Sequence, residues 1–175
     1  MQVQYSLLDA RPEHGLIAFG RRNGVQLLCY GSVAGGFLSD AWLGKPEPKP
    51  PLANRSLTKY KLIVDDFGGW TLFQELLGVL RQIADRRGAD IATVASGYVL
   101  DRPGVAAVIV GARNGSHLAA NTAISRLRRT AQDNAAIALV LARRTGPEGD
   151  TFTLERDRSG RHGAIMKYNL NTAPV

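Results

Sequence analysis

Apolar positions along the chain fall into short runs separated by helical stripes. Val3–Leu8 predicts a short strand. Pro12, with Glu13 beside it, predicts the opening turn of a helix. Leu16, Ile17 and Phe19 give that helix an apolar face, and Gly24 ends it. Val25–Tyr30 is a second short apolar run. Strand, helix and strand joined by short connections mark a parallel βαβ unit. A glycine-spaced turn, GSVAGGFLSD, follows over Gly31–Asp40. From Ala41 to about Gly69 a long loop is expected, because Pro46, Pro48, Pro50 and Pro51 exclude regular helix from its first part. Trp42, Tyr60, Phe67 and Trp70 lie in or beside residues 41–69, which favours an ordered lid over a free linker.

Trp70–Arg87 is an amphipathic helix, with Leu72, Phe73, Leu76, Leu77, Leu80 and Ile83 at helical spacing. Gly88 suits the position after its C-terminus. Asp90 caps another helix running to about Leu100, ended by Pro103. Val105–Val110 is the third strand, and Ser116–Arg128 and Asn134–Arg144 are further helices. The polar tail over residues 146–175 has no clear period, and no internal repeat is visible. Three parallel strands cannot close into a barrel, so two unpaired edges are expected, and such edges invite association.

The chain has 175 residues, with 45% hydrophobic and 21% charged positions, the profile of one globular domain with its own core. No apolar run approaches a membrane span, and no basic stretch followed by an apolar core opens the chain, so a cytoplasmic protein is expected. Cys29 sits in an apolar run and reads as a small buried hydrophobe. The net charge of +7 and pI near 10 raise nucleic-acid binding. The cations are scattered near predicted helix ends, where they favour the dipole, and no basic aromatic stripe appears. His14 and His162 read as surface residues, and nothing near them suggests a metal site. The alternating charges of Glu155–His162 read as a solvated turn with weak surface pairs.

The segment Val105–Asn121, VAAVIVGARNGSHLAAN, carries the clearest chemical suggestion. An apolar strand stops at Gly111, Arg113 lies in the turn, and a helix start follows from His117. Backbone N–H groups, a helix dipole and a guanidinium there would suit an anion. The same pattern also fits an ordinary strand–turn–helix connection.

That segment, together with CYGSVAGGFLSD, the opening MQVQYSLLD and LERDRSGRHGAIMKYNLN near the end, resembles the C-terminal half of the aldo-keto reductases. These are NADP-dependent (β/α)8 barrels that move hydride between the cofactor and an aldehyde or ketone. The resemblance implies an α/β fold, a partial TIM barrel of roughly the last three βα units without the first five. It implies cofactor contacts at named positions. Gln2 would hydrogen-bond the nicotinamide carboxamide, with Gln4 the candidate if the register shifts by two. Tyr30 would stack on the nicotinamide. Gly31, Ser32, Val33, Ala34 and Gly35 would approach the pyrophosphate. Gly111, Ala112 and Arg113 would line the 2′-phosphate, and Asn121 would meet the adenine. His117 stands where many relatives carry arginine, and Gly111-Ala112 where many carry lysine-serine, so NAD is possible beside NADP. In the C-terminal segment, Phe152, Ile165, Met166 and Tyr168 could fold over the barrel mouth, a region that shapes substrate choice in the family.

The family's proton-transfer group, Asp-Tyr-Lys-His, comes from the early strands. None of Tyr5, Tyr30, Tyr60, Tyr98 and Tyr168 has the catalytic tyrosine's context. The chain is therefore expected to carry cofactor-binding residues for NADP(H) and a small carbonyl substrate, with no catalytic residue of its own. The other expectation is a non-catalytic half-barrel that assembles with itself or with an N-terminal half.

Overall fold

Three short strands, β1 (Gln2–Gln4), β2 (Leu27–Tyr30) and β3 (Val105–Ile109), form one parallel sheet in the order β1-β2-β3. The structure is a computed structural model that describes residues 1–112 and 115–166. β1 ends sooner than the apolar run suggests. Ser6 Oγ accepts from the backbone N–H groups of Leu8 and Asp9, and this turns the chain out of the sheet.

The register gives the sheet two unlike faces. Gln2 and Gln4 pair with Leu28 and Tyr30, which pair with Ala107 and Ile109. Residues two apart share a face, so these six project together. The other face carries Val3 and Cys29, both fully buried in a small core with Tyr5, Leu27 and Val99. On the first face Leu28 is 37% and Ile109 42% exposed. A parallel sheet is normally covered on both faces, and here the described residues cover this one only in part.

The helices build the larger core. A 3-10 turn at Arg11–His14 leads into α1 (Leu16–Arg22). The segment expected to be loop over residues 41–69 is helical in its second half, as α2 (Arg55–Phe67). Asn54 caps it by accepting from the backbone N–H of Leu57 at 2.9 Å. Tyr60, Ile63, Val64 and Phe67 recur at helical spacing on its buried side. After a 3-10 turn at Asp40–Trp42, the proline-rich stretch 43–54 has no helix or strand.

Next come α3 (Gly69–Arg87) and α4 (Ile91–Leu100), with α3 packed between α2 and α4. Phe37, Trp42, Trp70 and Phe73 form an aromatic cluster that ties the post-β2 loop to α3, with edge-on and tilted rings 4.7–6.2 Å apart. α5 (Leu118–Ala123) is shorter than the helix expected over Ser116–Arg128. α6 (Ala131–Leu141) begins earlier than Asn134, because Thr130 and Asp133 cap it reciprocally. The tail holds two one-turn helices, α7 (Thr153–Arg156) and α8 (Arg161–Ala164).

Two expectations for the tail are corrected. Glu155 is not a solvated surface charge: it accepts from both Nη atoms of Arg11, at 3.0 and 2.9 Å. His162 is not a surface residue. It is buried, 4% exposed, with Nε2 2.7 Å from Asp66. Both act as clasps that return the tail to the body, a job invisible in a stretch of alternating charge. Cys29 is buried, as its apolar run implied.

Candidate functional site

The C-terminal ends of parallel strands are where α/β folds place ligands. A cleft of about 530 Å³ opens there. Its walls are the loop after β2, the first turns of α4, and the chain leaving β3. Of the residues singled out in the sequence, Gly31, Ser32, Val33, Gly35, Gly111, Ala112, His117 and Asn121 all line this one cleft. Two stretches some eighty positions apart meet there because β2 and β3 are neighbours.

The β2 loop is held from behind. Ser32 Oγ lies 2.9 Å from Ser96 Oγ on α4, and both are buried. Gly31 and Gly35 have φ of +70° and +65°, values L side chains rarely adopt. A β-carbon at either would run into the ring or hydroxyl of Tyr60 from α2. Their smallness therefore makes room for Tyr60, while their backbone stays at the cleft wall. Ala34 does not line the cleft: its side chain is fully buried, and it holds a φ of +49°.

At the far wall Asn121 Nδ2 donates to the carbonyl of Gly111 at 3.3 Å, closing the turn between β3 and α5. A β-carbon on Gly111 would meet nothing within 4 Å, so space lies open there. Arg113 lies outside the described residues. At the N-terminus of α4, Asp90 accepts from the N–H of Thr93 at 2.6 Å and Asp40 from that of Ile91 at 3.1 Å. With two carboxylates already on it, that helix end does not invite another anion.

Gln2 is exposed, at the start of β1 and across from Leu28, away from the strand ends. Gln4 occupies the strand end beside Tyr30. It is 4% exposed, and its Nε2 donates to Asp9 Oδ2 at 2.7 Å. Its Oε1 is buried with no hydrogen-bond partner. An orphaned amide oxygen in a buried place is costly unless something donates to it.

Around Tyr30 lies a charged group that sequence reasoning missed. Asp9 and Arg11 pair at 2.8 Å with almost no exposure of either side chain, and Arg11 also holds Glu155. Burial pushes the Glu155 carboxyl up, but Arg11 outweighs it, and the carboxyl rests below its ordinary range. Burial raises the Tyr30 phenol, with Glu155 and Asp9 adding to the shift, and pushes the Tyr60 phenol up to about 12. Ser56, Tyr60, Thr93 and Ser96 also line the main cleft. Only the helical spacing of α2 could have flagged Tyr60. Among the described residues no group of His, Cys, Asp and Glu could hold a metal ion, and no helix is long and apolar enough to cross a membrane.

Parallel strands alternating with helices, with a cleft at their C-terminal ends, define an α/β fold. The profile of the aldo/keto reductase family matches residues 1–142, and the chain belongs to that family. The flagellar radial spoke protein 5 of Chlamydomonas reinhardtii is 34% identical over 106 residues, covering 58% of this chain. The chain spans 20% of the length of that curated relative. The glycerol dehydrogenase from Gluconobacter oxydans superposes with a TM-score of 0.67 at 20% identity, over 86% of this chain and 45% of that one. A thermostable aldo-keto reductase in complex with the inhibitor epalrestat gives 0.53 at 21% identity, over 79% and 38%. At these identities the structures speak for the fold: three strands of an aldo-keto reductase barrel, left as an open sheet.

Proposed function

We propose that this chain is the cofactor-holding part of an NADP-dependent aldo-keto reductase, contributed by the last βα units of the barrel. The carrying observation is the cleft itself, which gathers eight of the family-implied positions from two separate stretches. Its volume is in the range of ligand pockets. The residues fit a dinucleotide. The buried orphan Oε1 of Gln4 suits a carboxamide N–H, which moves that role from Gln2 to Gln4. Tyr30 is the strand partner of Gln4 at the same end of the sheet. Gly111 leaves open space, and Arg113 follows as the phosphate ligand implied by the family.

When bound, NADP(H) would supply or accept the hydride. The chain's own contribution is to orient. Gln4 and Tyr30 fix one end, the Ser32–Ser96 pair holds the β2 loop rigid, and Asn121 keeps the β3 turn closed. The Asp-Tyr-Lys-His group is assigned to strands outside this chain, so the chain alone should not consume NADPH with simple aldehydes. Turnover by purified chain would overturn that assignment. Calorimetry with NADP+ tests the binding site: Arg113→Ala should abolish binding, and unchanged affinity would remove Arg113 from it.

The exposure of Leu28 and Ile109, with β1 and β3 each lacking a further strand neighbour among the described residues, favours a second reading as a half-barrel that assembles. Sedimentation of the chain decides this: a clean monomer at all concentrations argues against self-pairing.

A further inference from the structure

Lys59, on α2 next to Tyr60, is half-buried. Its ammonium lies 5.4 Å from the centroid of the Tyr60 ring and 5.9 Å from that of Tyr30. No carboxylate among the described residues forms an ion pair with it. The nearest acids are engaged elsewhere. Asp9 accepts from Nε and Nη2 of Arg11, and Glu155 from Nη1 and Nη2. The two rings soften the loss of water but accept no strong hydrogen bond, so the N–H donors of the ammonium are left for another group. Burial accordingly lowers its hold on the proton, and Glu155 and Asp9 offset this in part.

This lysine lines a second, smaller cleft of about 290 Å³ with Arg55, Ser56, Tyr60, Ile165 and Met166. One wall is cationic and the other apolar. A partly desolvated ammonium beside such a wall is matched by an anion with an apolar body. Tyr30 borders the lysine and ends the strand next to Gln4, so the lysine of this cleft stands beside the residues proposed for the nicotinamide.

We propose that Lys59 receives the carboxylate of an acidic carbonyl substrate, whose apolar part lies against Ile165 and Met166. This rests on the reading of the chain as the cofactor-holding part of a reductase. The rival source of the same chemistry is a phosphate of the cofactor.

The test is an NMR-detected titration of the full chain with phenylglyoxylate, with its neutral counterpart acetophenone, and with NADP+. It is repeated on Lys59→Met and Lys59→Arg. The acid should bind the wild-type chain in preference to the ketone. Lys59→Met should weaken the acid by about tenfold or more, the scale of one charge-assisted hydrogen bond. It should leave acetophenone and NADP+ within about twofold, which also shows that the variant is folded. Lys59→Arg should restore binding of the acid. Equal binding of acid and ketone, or an unchanged acid affinity in Lys59→Met, overturns the proposal. A selective loss of NADP+ in that variant also overturns it and assigns the lysine to the cofactor. If wild-type chain binds the acid through Lys59 but never binds NADP+, the carboxylate site stands and the cofactor reading falls.

Discussion

Replacing Gly31 by alanine should separate two reasons for a glycine after β2. Gly31 has φ of +70°, and the added β-carbon would collide with the Tyr60 hydroxyl and approach Cζ to 3.2 Å. Gly24 is a matched control, with φ of +67° and nothing within 4 Å of its would-be β-carbon. Holding alanine in the left-handed region costs about 1–2 kcal/mol, so Gly24→Ala should lose about that much. Overpacking a buried contact adds about 1–3 kcal/mol, so Gly31→Ala should lose about 2–5 kcal/mol. Tyr60→Phe removes the colliding oxygen and keeps the ring. In that background the cost of Gly31→Ala should fall by about 1 kcal/mol or more, toward that of Gly24→Ala. The assay is urea unfolding followed by tryptophan fluorescence, with midpoints compared at constant slope. An equal cost of Gly31→Ala in both backgrounds would refute the claim that Tyr60 dictates glycine. A Gly31→Ala cost no larger than that of Gly24→Ala would refute it as well.

Three further outcomes follow from the buried groups. Asp133, 1% exposed, accepts from Arg86, Arg87 and the Thr130 backbone; Asp133→Ala should cost about 1–3 kcal/mol in urea unfolding, by loss of its half of the capping box and of its charge-assisted hydrogen bonds to two arginines, and a loss below about 0.5 kcal/mol would contradict that role. Burial raises the carboxyls of Asp66 and Glu155, but His162 and Arg161 outweigh it at Asp66 and Arg11 at Glu155, and both end below their ordinary values. Groups lowered on folding stabilise fully above the unfolded pKa of about 4 and lose that stabilisation as pH falls through the folded one. Proteolysis between Arg156 and Arg161 should therefore rise steeply below about pH 4 and stay flat from pH 5 to 7; a rise centred near neutrality would disprove carboxylate control. Burial pushes the Cys29 thiol up to about 11, so iodoacetamide at pH 8 should label it only on unfolding, and labelling of native chain at the rate of a free thiol would show the pocket to be open.

Much of the fold was legible in period and punctuation. The stripe from Leu72 to Ile83, the caps at Gly88 and Asp90, and the run from Val105 marked α3, α4 and β3 to within a residue or two. α2 is masked in the sequence by the four prolines that precede it. The strand ends of the candidate site were legible too, since Tyr30-Gly31 and Gly111 each close an apolar run. What escaped was every contact between distant stretches. Nothing local pairs Arg11 with Glu155 or Asp66 with His162, and nothing local makes Gln4 the buried glutamine rather than Gln2. That last choice depends on where β1 leaves the sheet, which the Ser6 turn decides through two backbone hydrogen bonds.

The pairing of Arg11 with Glu155 also sets an order of events during synthesis. Arg11 leaves the ribosome before Glu155, which follows 144 positions later. At about 5–20 residues per second, that gap lasts about 7–30 s. Throughout it the guanidinium has the Asp9 carboxylate as its acidic partner, at a place that in the finished molecule is almost closed to water. The loop after β1 therefore cannot reach its final electrostatic state as it is made. A nascent chain stopped short of Glu155 would present the strands and the main cleft but leave the Nη donors of Arg11 without the carboxylate that takes them in the finished fold, a mark by which unfinished chains differ from finished ones.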